Sequence, residues 1–134
     1  MESGALVALP GHAITFSPAQ LLDVQSLLGR FAASPHAPPS IKECQEQVGE
    51  AVYSALVESG DLVPVSPEVV FYRSDYDAMV ADVRRAIQSK GQVTLAEVRD
   101  ALNTSRRYVQ ALLEHLDAAG VTVRSGEARK LRQP

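Results

Sequence analysis

Two stretches of the chain, LVESG (56–60) and LDAAG (116–120), share one pattern and one context. Each ends a helical apolar stripe in Leu-x-x-x-Gly, and each runs straight into residues that favour strands. A glycine just past a helix adopts, at no steric cost, the left-handed conformation that stops it. This signal occurs twice in 134 residues, which calls for a repeated unit of helices followed by a hairpin.

The flanking residues supply the rest of each unit. In SPAQLLDVQSLLGRF, Ser17 is placed to cap a helix, with Pro18 at its first position and Gln20 at the capping-box position. Leu21, Val24, Leu28 and Phe31 then fall on one face. SPHAPPS (34–40) reads as a loop, and Ser40 with Glu43 opens a short helix to Gln47. The next helix presents Val48, Val52 and Leu56 on one face. LVPV and VVFY around SPE then form a hairpin. The second half repeats the order. SDYDAMVADVRRAIQSKG buries Tyr76, Met79 or Val80, Val83 and Ile87, and Thr94 with Glu97 forms another capping box. Asn103 or Thr104 caps a helix whose stripe is Val109, Leu112, Leu113 and Leu116. VTVR and ARKL around SGE give a second hairpin, with Val121 and Val123 inward and Thr122 and Arg124 outward.

Three helices followed by a hairpin are the layout of a winged helix. The expected fold is mainly α with small β hairpins (α+β). It comprises two tandem winged-helix domains, residues 1–72 and 73–134. The helix at 74–89 joins them with little free linker, which implies an elongated, stiff pair. At about 65 residues each, such units are small but feasible.

Charge separates the two halves. The net charge of −3 argues against nucleic acid, but residues 1–72 hold two cations (Arg30, Lys42) against eight acids, whereas residues 73–134 hold eleven cations against eight. A split of this kind is expected when one module faces a polyanion. The first hairpin carries no cation, and the second ends in the basic strand Arg129, Lys130, Arg132. The first module therefore reads as a spacer or protein-facing element and the second as a nucleic-acid reader.

The second module's third helix shows where contact is expected. Arg106 and Arg107 occupy its first turn, where the helix dipole disfavours cations. On a helical wheel Arg107 lies opposite the apolar stripe with Glu114, Arg106 lies on one flank with Gln110, and Tyr108 lies on the other side with His115. Free backbone N–H groups at a helix start, the hydroxyls of Thr104 and Ser105, and two guanidiniums make a phosphate site. Tyr108 adds stacking or a hydrogen bond. In the wing, Arg124 and Arg129 add charge, and Gly126 suits a tight turn that lets a backbone come close. A plainer reading leaves the arginines as solvated residues, with Arg107 paired to Glu114 or Asp100.

From TSRRYVQALLEHLDAAGVTVRSGEARKLR the chain resembles the C-terminal end of the bacterial selenocysteine-specific elongation factor family, SelB. The resemblance rests on Thr104-Ser105-Arg106-Arg107-Tyr108, on Leu116-Asp117-Ala118-Ala119-Gly120-Val121-Thr122, and on the wing Arg124-Ser125-Gly126-Glu127-Ala128-Arg129. LPGHAITFSPAQ (9–20) and SGDLVPVSPEVVFY (59–72) are similar to the preceding winged helix of that family. Asn103 stands where many relatives have glycine, and Arg107 where lysine is common. The resemblance implies that these are the last two winged-helix domains of the family's C-terminal arm. The final one would bind the selenocysteine insertion element, an mRNA stem-loop at a UGA codon. Its contacts would lie on Thr104, Ser105, Arg106, Arg107, Tyr108, Arg124, Gly126 and Arg129. Further partners would be the ribosome or the remainder of the factor, with the chain acting as a monomer in the cytoplasm.

Other classes find less support. The chain has no G-x-x-x-x-G-K-[ST], G-x-S-x-G or H-E-x-x-H, and His12, His36 and His115 lack metal-ligand spacing, so no enzyme, metal site or cofactor is expected. Cys44 reads as a small buried apolar residue. No apolar run reaches a membrane span, and the N-terminus has no signal-peptide pattern. A DNA-binding transcription regulator and a protein-interaction scaffold are the rival readings, although no separate dimerisation helix is seen.

Overall fold

In the computed structural model, which describes residues 16–132, the chain divides into two compact units between Arg73 and Ser74. The first contains α1 (Pro18–Ala33), α2 (Ile41–Val48), α3 (Glu50–Glu58), β1 (Leu62–Pro64) and β2 (Val70–Tyr72). The second contains α4 (Arg73–Lys90, with all but its first residue in this unit), β3 (Val93–Thr94), α5 (Leu95–Leu102), α6 (Arg106–Ala118), β4 (Thr122–Ser125) and β5 (Ala128–Leu131). His12 and most of the 9–20 stretch lie outside the described residues.

Local chemistry sets the helix ends. Ser17–Gln20, Ser40–Glu43 and Thr94–Glu97 each close a reciprocal capping box at the starts of α1, α2 and α5. The repeated Leu-x-x-x-Gly is one hydrogen-bonded device used twice. Asp61 N–H donates to the Leu56 carbonyl (3.1 Å) and Gly60 N–H to that of Val57 (3.0 Å). Val121 N–H donates to the Leu116 carbonyl (2.9 Å) and Gly120 N–H to that of Asp117 (3.2 Å). These are Schellman stops, with Gly60 and Gly120 at φ 88° and 81°. Leu56 and Leu116 are both fully buried.

Each unit has its own core. In the first, Val24, Leu27 and Phe31 of α1 cluster with Cys44, Val52, Leu56, Leu62 and Val70. Leu27, not Leu28, takes the fully buried position, and Leu28 packs at the core's edge. Val48 closes α2, and Gly49 at φ 89° separates it from α3. Burial pushes the Cys44 thiol up to about 11, which keeps it protonated and unreactive. In the second unit Met79, Val83 and Ile87 of α4, Val98 and Leu102 of α5, and Val109, Leu112, Leu113 and Leu116 of α6 are buried.

The second unit's sheet has the order β3-β5-β4, with Thr94 paired to Ala128 and Val93 to Arg129. Its counterpart in the first unit is the single bridge Ser40↔Val69 beside the β1-β2 hairpin. Ser40 and Thr94 are both N-caps of the helix that follows. β3 is too short to carry a periodic signal.

Strand β4 departs from the expected alternation at Thr122 and Val123, whereas Arg124 is exposed as expected and Val121 is half-buried. Thr122 is 1 % exposed and Val123 is 44 % exposed. A valine pair looks like the inward face, but Thr122 donates its hydroxyl to Asp117 Oδ1 at 2.6 Å, so its burial leaves no unpaired polar group.

His115 of α6 meets Tyr76 of α4, with 3.1 Å between Nε2 and the phenol oxygen and the rings edge to face. Desolvation holds the His115 pKa below its ordinary 6.5. The unfolded chain therefore takes up this proton first on acidification. Its contribution to stability is complete above about pH 7 and declines as the pH falls through the 6.5 of the unfolded form towards the lower folded value. Melting the second unit at pH 7.5 and 5.5 should show the lower midpoint at 5.5, and His115→Gln should reduce that difference.

Candidate nucleic-acid interface

The start of α6 differs from the capped starts elsewhere. Its N-cap is Ser105 (φ −102°, ψ 161°), one or two residues later than the Asn103 or Thr104 expected, and Ser105 makes no side-chain capping bond. Asn103 instead ends α5 in the left-handed conformation (φ 52°, ψ 53°). Of the residues with a side chain, asparagine tolerates that region best, which explains why glycine can stand at the same position. Asn103→Gly should leave the melting midpoint nearly unchanged, whereas Asn103→Val should cost about 1–2 kcal/mol in denaturant unfolding.

The equivalent helix of the first unit, α3, also lacks a side-chain cap but has Glu50 in its first turn, which suits the positive end of a helix. The first turn of α6 has no acid and two exposed arginines. The Arg107 guanidinium carbon lies 5.4 Å from the centroid of the Tyr108 ring, a cation–π contact that holds the pair together. Ser105, Arg106 and Arg107 are exposed, and Thr104 and Tyr108 are half-buried. Five of the expected contact residues therefore occupy one helix start.

The wing separates the remaining three. Arg124 is exposed, and its Nε donates to the Gly126 carbonyl at 3.2 Å. Gly126 has φ 61°, and with Glu127 it forms the two-residue turn between β4 and β5. Glycine with positive φ at the first of two turn positions is the II′ pattern. Nothing lies within 4 Å of the position a Cβ would take there, so the turn presents open backbone.

Arg129 is different. It is 4 % exposed and lies on the central strand β5, with Nε and Nη2 each 3.1 Å from Asp117 Oδ2. That places it in the interior, where a guanidinium is paired and not presented to solvent. Its neighbour Lys130 is exposed and belonged to the basic strand but not to the expected contact set. The strand alternation would have exchanged the two residues had Thr122 been placed inward, because Val123 pairs with Lys130 and Arg124 with Arg129. Lys130 and Arg124 border an open groove between the end of α4 and the wing, floored by Ile87, Val123 and Leu131.

Three helices, a short strand and a β wing make the second unit a winged helix, with an exposed basic helix start and an open wing turn. Residues 85–131 match the family model for the winged helix of elongation factor SelB. The chain is 25% identical, over 134 residues, to a selenocysteine-specific elongation factor of Desulfomicrobium baculatum; the match takes in 96% of this chain and 21% of the relative. The chain thus spans about a fifth (21%) of that curated relative's length. Its fold matches the mRNA-binding domain of E. coli SelB, solved with SECIS RNA, at a TM-score of 0.69 and 20% identity, over 88% of this chain and 100% of that one. It also matches a bacterial selenocysteine-specific elongation factor at a TM-score of 0.69 and 14% identity, over 96% of this chain and 22% of the other. The resemblance read from the sequence holds: this chain is similar to the C-terminal winged-helix region of elongation factor SelB.

Proposed function

We propose that the chain is the RNA-binding part of a selenocysteine-specific elongation factor and tethers that factor to an mRNA stem-loop, the selenocysteine insertion element, for UGA recoding in the cytoplasm. In this reading the two units are winged helices in tandem. Residues 1–72 act as a spacer or protein-facing element, and residues 73–134 bind RNA as a monomer. The carrying observation is the acid-free, uncapped start of α6 with Arg106 and Arg107 exposed, inside the segment that matches the SelB winged helix.

The A-form major groove is too narrow for a helix, so the module does not read RNA as a winged helix reads DNA. Phosphates sit instead on the Ser105–Arg107 amides, the two guanidiniums and the open turn at Gly126. An unstacked base stacks on Tyr108 or enters the groove beside Arg124 and Lys130. Thr104 lines the helix start, and Arg129 acts from the interior by shaping the wing. Phosphate contacts set affinity and its salt dependence, while base contacts set specificity. The chain itself performs no bond chemistry in this role. Among the described residues no His, Cys, Asp and Glu cluster is arranged to hold a metal, and no helix is long and apolar enough to cross a membrane.

The test is a titration of the chain against a stem-loop RNA with a bulged base, the corresponding unlooped RNA duplex and the matching DNA duplex, at two salt concentrations. Preference for the stem-loop is expected. Preference for the DNA duplex would make the chain a DNA-binding regulator, and no binding at low salt would leave a protein-interaction scaffold.

A further inference from the structure

Asp117 stands in the last turn of α6, where the helix dipole disfavours an anion. It is the mirror image of the arginines at the other end. Its carboxylate gathers donors from both wing strands: the Thr122 hydroxyl at 2.6 Å from β4, and Arg129 Nε and Nη2 at 3.1 Å from β5. Its backbone carbonyl takes the Gly120 N–H that completes the helix stop. Helix end, turn and both strands therefore meet at one residue.

Few buried side chains anchor the wing besides the β3–β5 backbone pairing. Residues 123–127 are all exposed, and among the β4 and β5 residues only Thr122, Ala128 and Arg129 are buried. Two of those three are Asp117 partners. A hairpin of this size is marginal by itself, so its direction depends on what holds its base. The β3 pairing fixes β5 at Arg129 and Ala128, and Asp117 fixes the same point from the helix side.

We infer that Asp117 is a positioning residue for RNA recognition. It locks the wing to α6 and thereby sets the separation between the Arg106–Arg107 helix start and the Arg124–Gly126 turn, without meeting RNA itself. The inference rests on the RNA-binding reading above. It has a consequence opposite in sign to simple electrostatics. Removing an acid raises the chain's net charge by one, which by charge alone favours a polyanion. The positioning role requires the reverse.

The experiment measures stem-loop affinity of Asp117→Asn at several salt concentrations, with hydrogen exchange of the wing amides in the same chain without RNA. Affinity should fall about tenfold or more, the slope of log affinity against log salt should be unchanged, and the amides of residues 124–129 should exchange faster. Equal or tighter binding would overturn the inference. A slope reduced by about 0.7 in Arg129→Gln would do so as well, because it would mean that Arg129 meets a phosphate. If Asp117→Asn does not fold, Asp117→Glu keeps the charge and shifts the carboxylate by one methylene. A weakening of about threefold or more with faster wing exchange is then expected, and wild-type values in both would sink the idea. If the wild-type chain binds no stem-loop, the RNA-binding reading fails, and wing exchange still decides whether Asp117 is the anchor.

Discussion

Arg106→Glu/Arg107→Glu is expected to lower stem-loop affinity by about 100-fold or more while leaving the second unit at least as stable as before. Each charge-assisted contact to a phosphate is worth about 1.5–3 kcal/mol, so losing two removes roughly 3–6 kcal/mol, and every 1.4 kcal/mol is tenfold. Reversed charge adds repulsion. The fold responds in the opposite direction, since an acid in the first turn of a helix gains about 0.3–1 kcal/mol from the dipole where an arginine loses it. The pair of readouts is decisive. A raised or unchanged melting midpoint with lost binding would mean that the arginines serve a ligand at the helix's expense. Binding that survives the double reversal would make them ordinary solvated residues. The neutral double variant Arg106→Gln/Arg107→Gln should reduce the salt slope by about 1.4, since each lost single-strand phosphate contact removes about 0.7.

The second large effect separates the two units. Leu56 and Leu116 occupy the same place in each helix stop, and both are 0% exposed. Truncation of a buried leucine to alanine costs about 2–5 kcal/mol. A unit of about 60 residues has only about 3–9 kcal/mol in total, so either change removes a large part of one unit's stability. Leu116→Ala should therefore abolish stem-loop binding at 37 °C. Leu56→Ala should lower a melting transition by a similar amount yet leave stem-loop affinity within about threefold of the unaltered chain. Equal losses of binding in both variants would mean that the first unit takes part in recognition and is more than a spacer.

Much of the fold was legible because it rests on local signals. The capping boxes at Ser17, Ser40 and Thr94 are reciprocal bonds within four residues, and the stops at Gly60 and Gly120 need only a left-handed residue after a buried leucine. The stripe Val109, Leu112, Leu113, Leu116 follows from helical period alone. The α6 helix start was legible for the same reason, since its five expected residues are consecutive in sequence. The cap itself was misplaced, because Asn103, Thr104 and Ser105 are all good capping residues, and the left-handed backbone of Asn103 decides between them.

The sequence by itself determined the repeated layout, the helix ends and the basic helix start, because each depends on neighbours along the chain. The tertiary structure alone decided the wing. Whether Thr122 or Val123 faces inward, and whether Arg129 or Lys130 meets solvent, turns on Asp117 arriving from the end of α6 with a carboxylate able to satisfy a hydroxyl and a guanidinium. Apolar content alone favours the valine face of β4, and a buried polar cluster selected instead the arrangement in which its donors are paired.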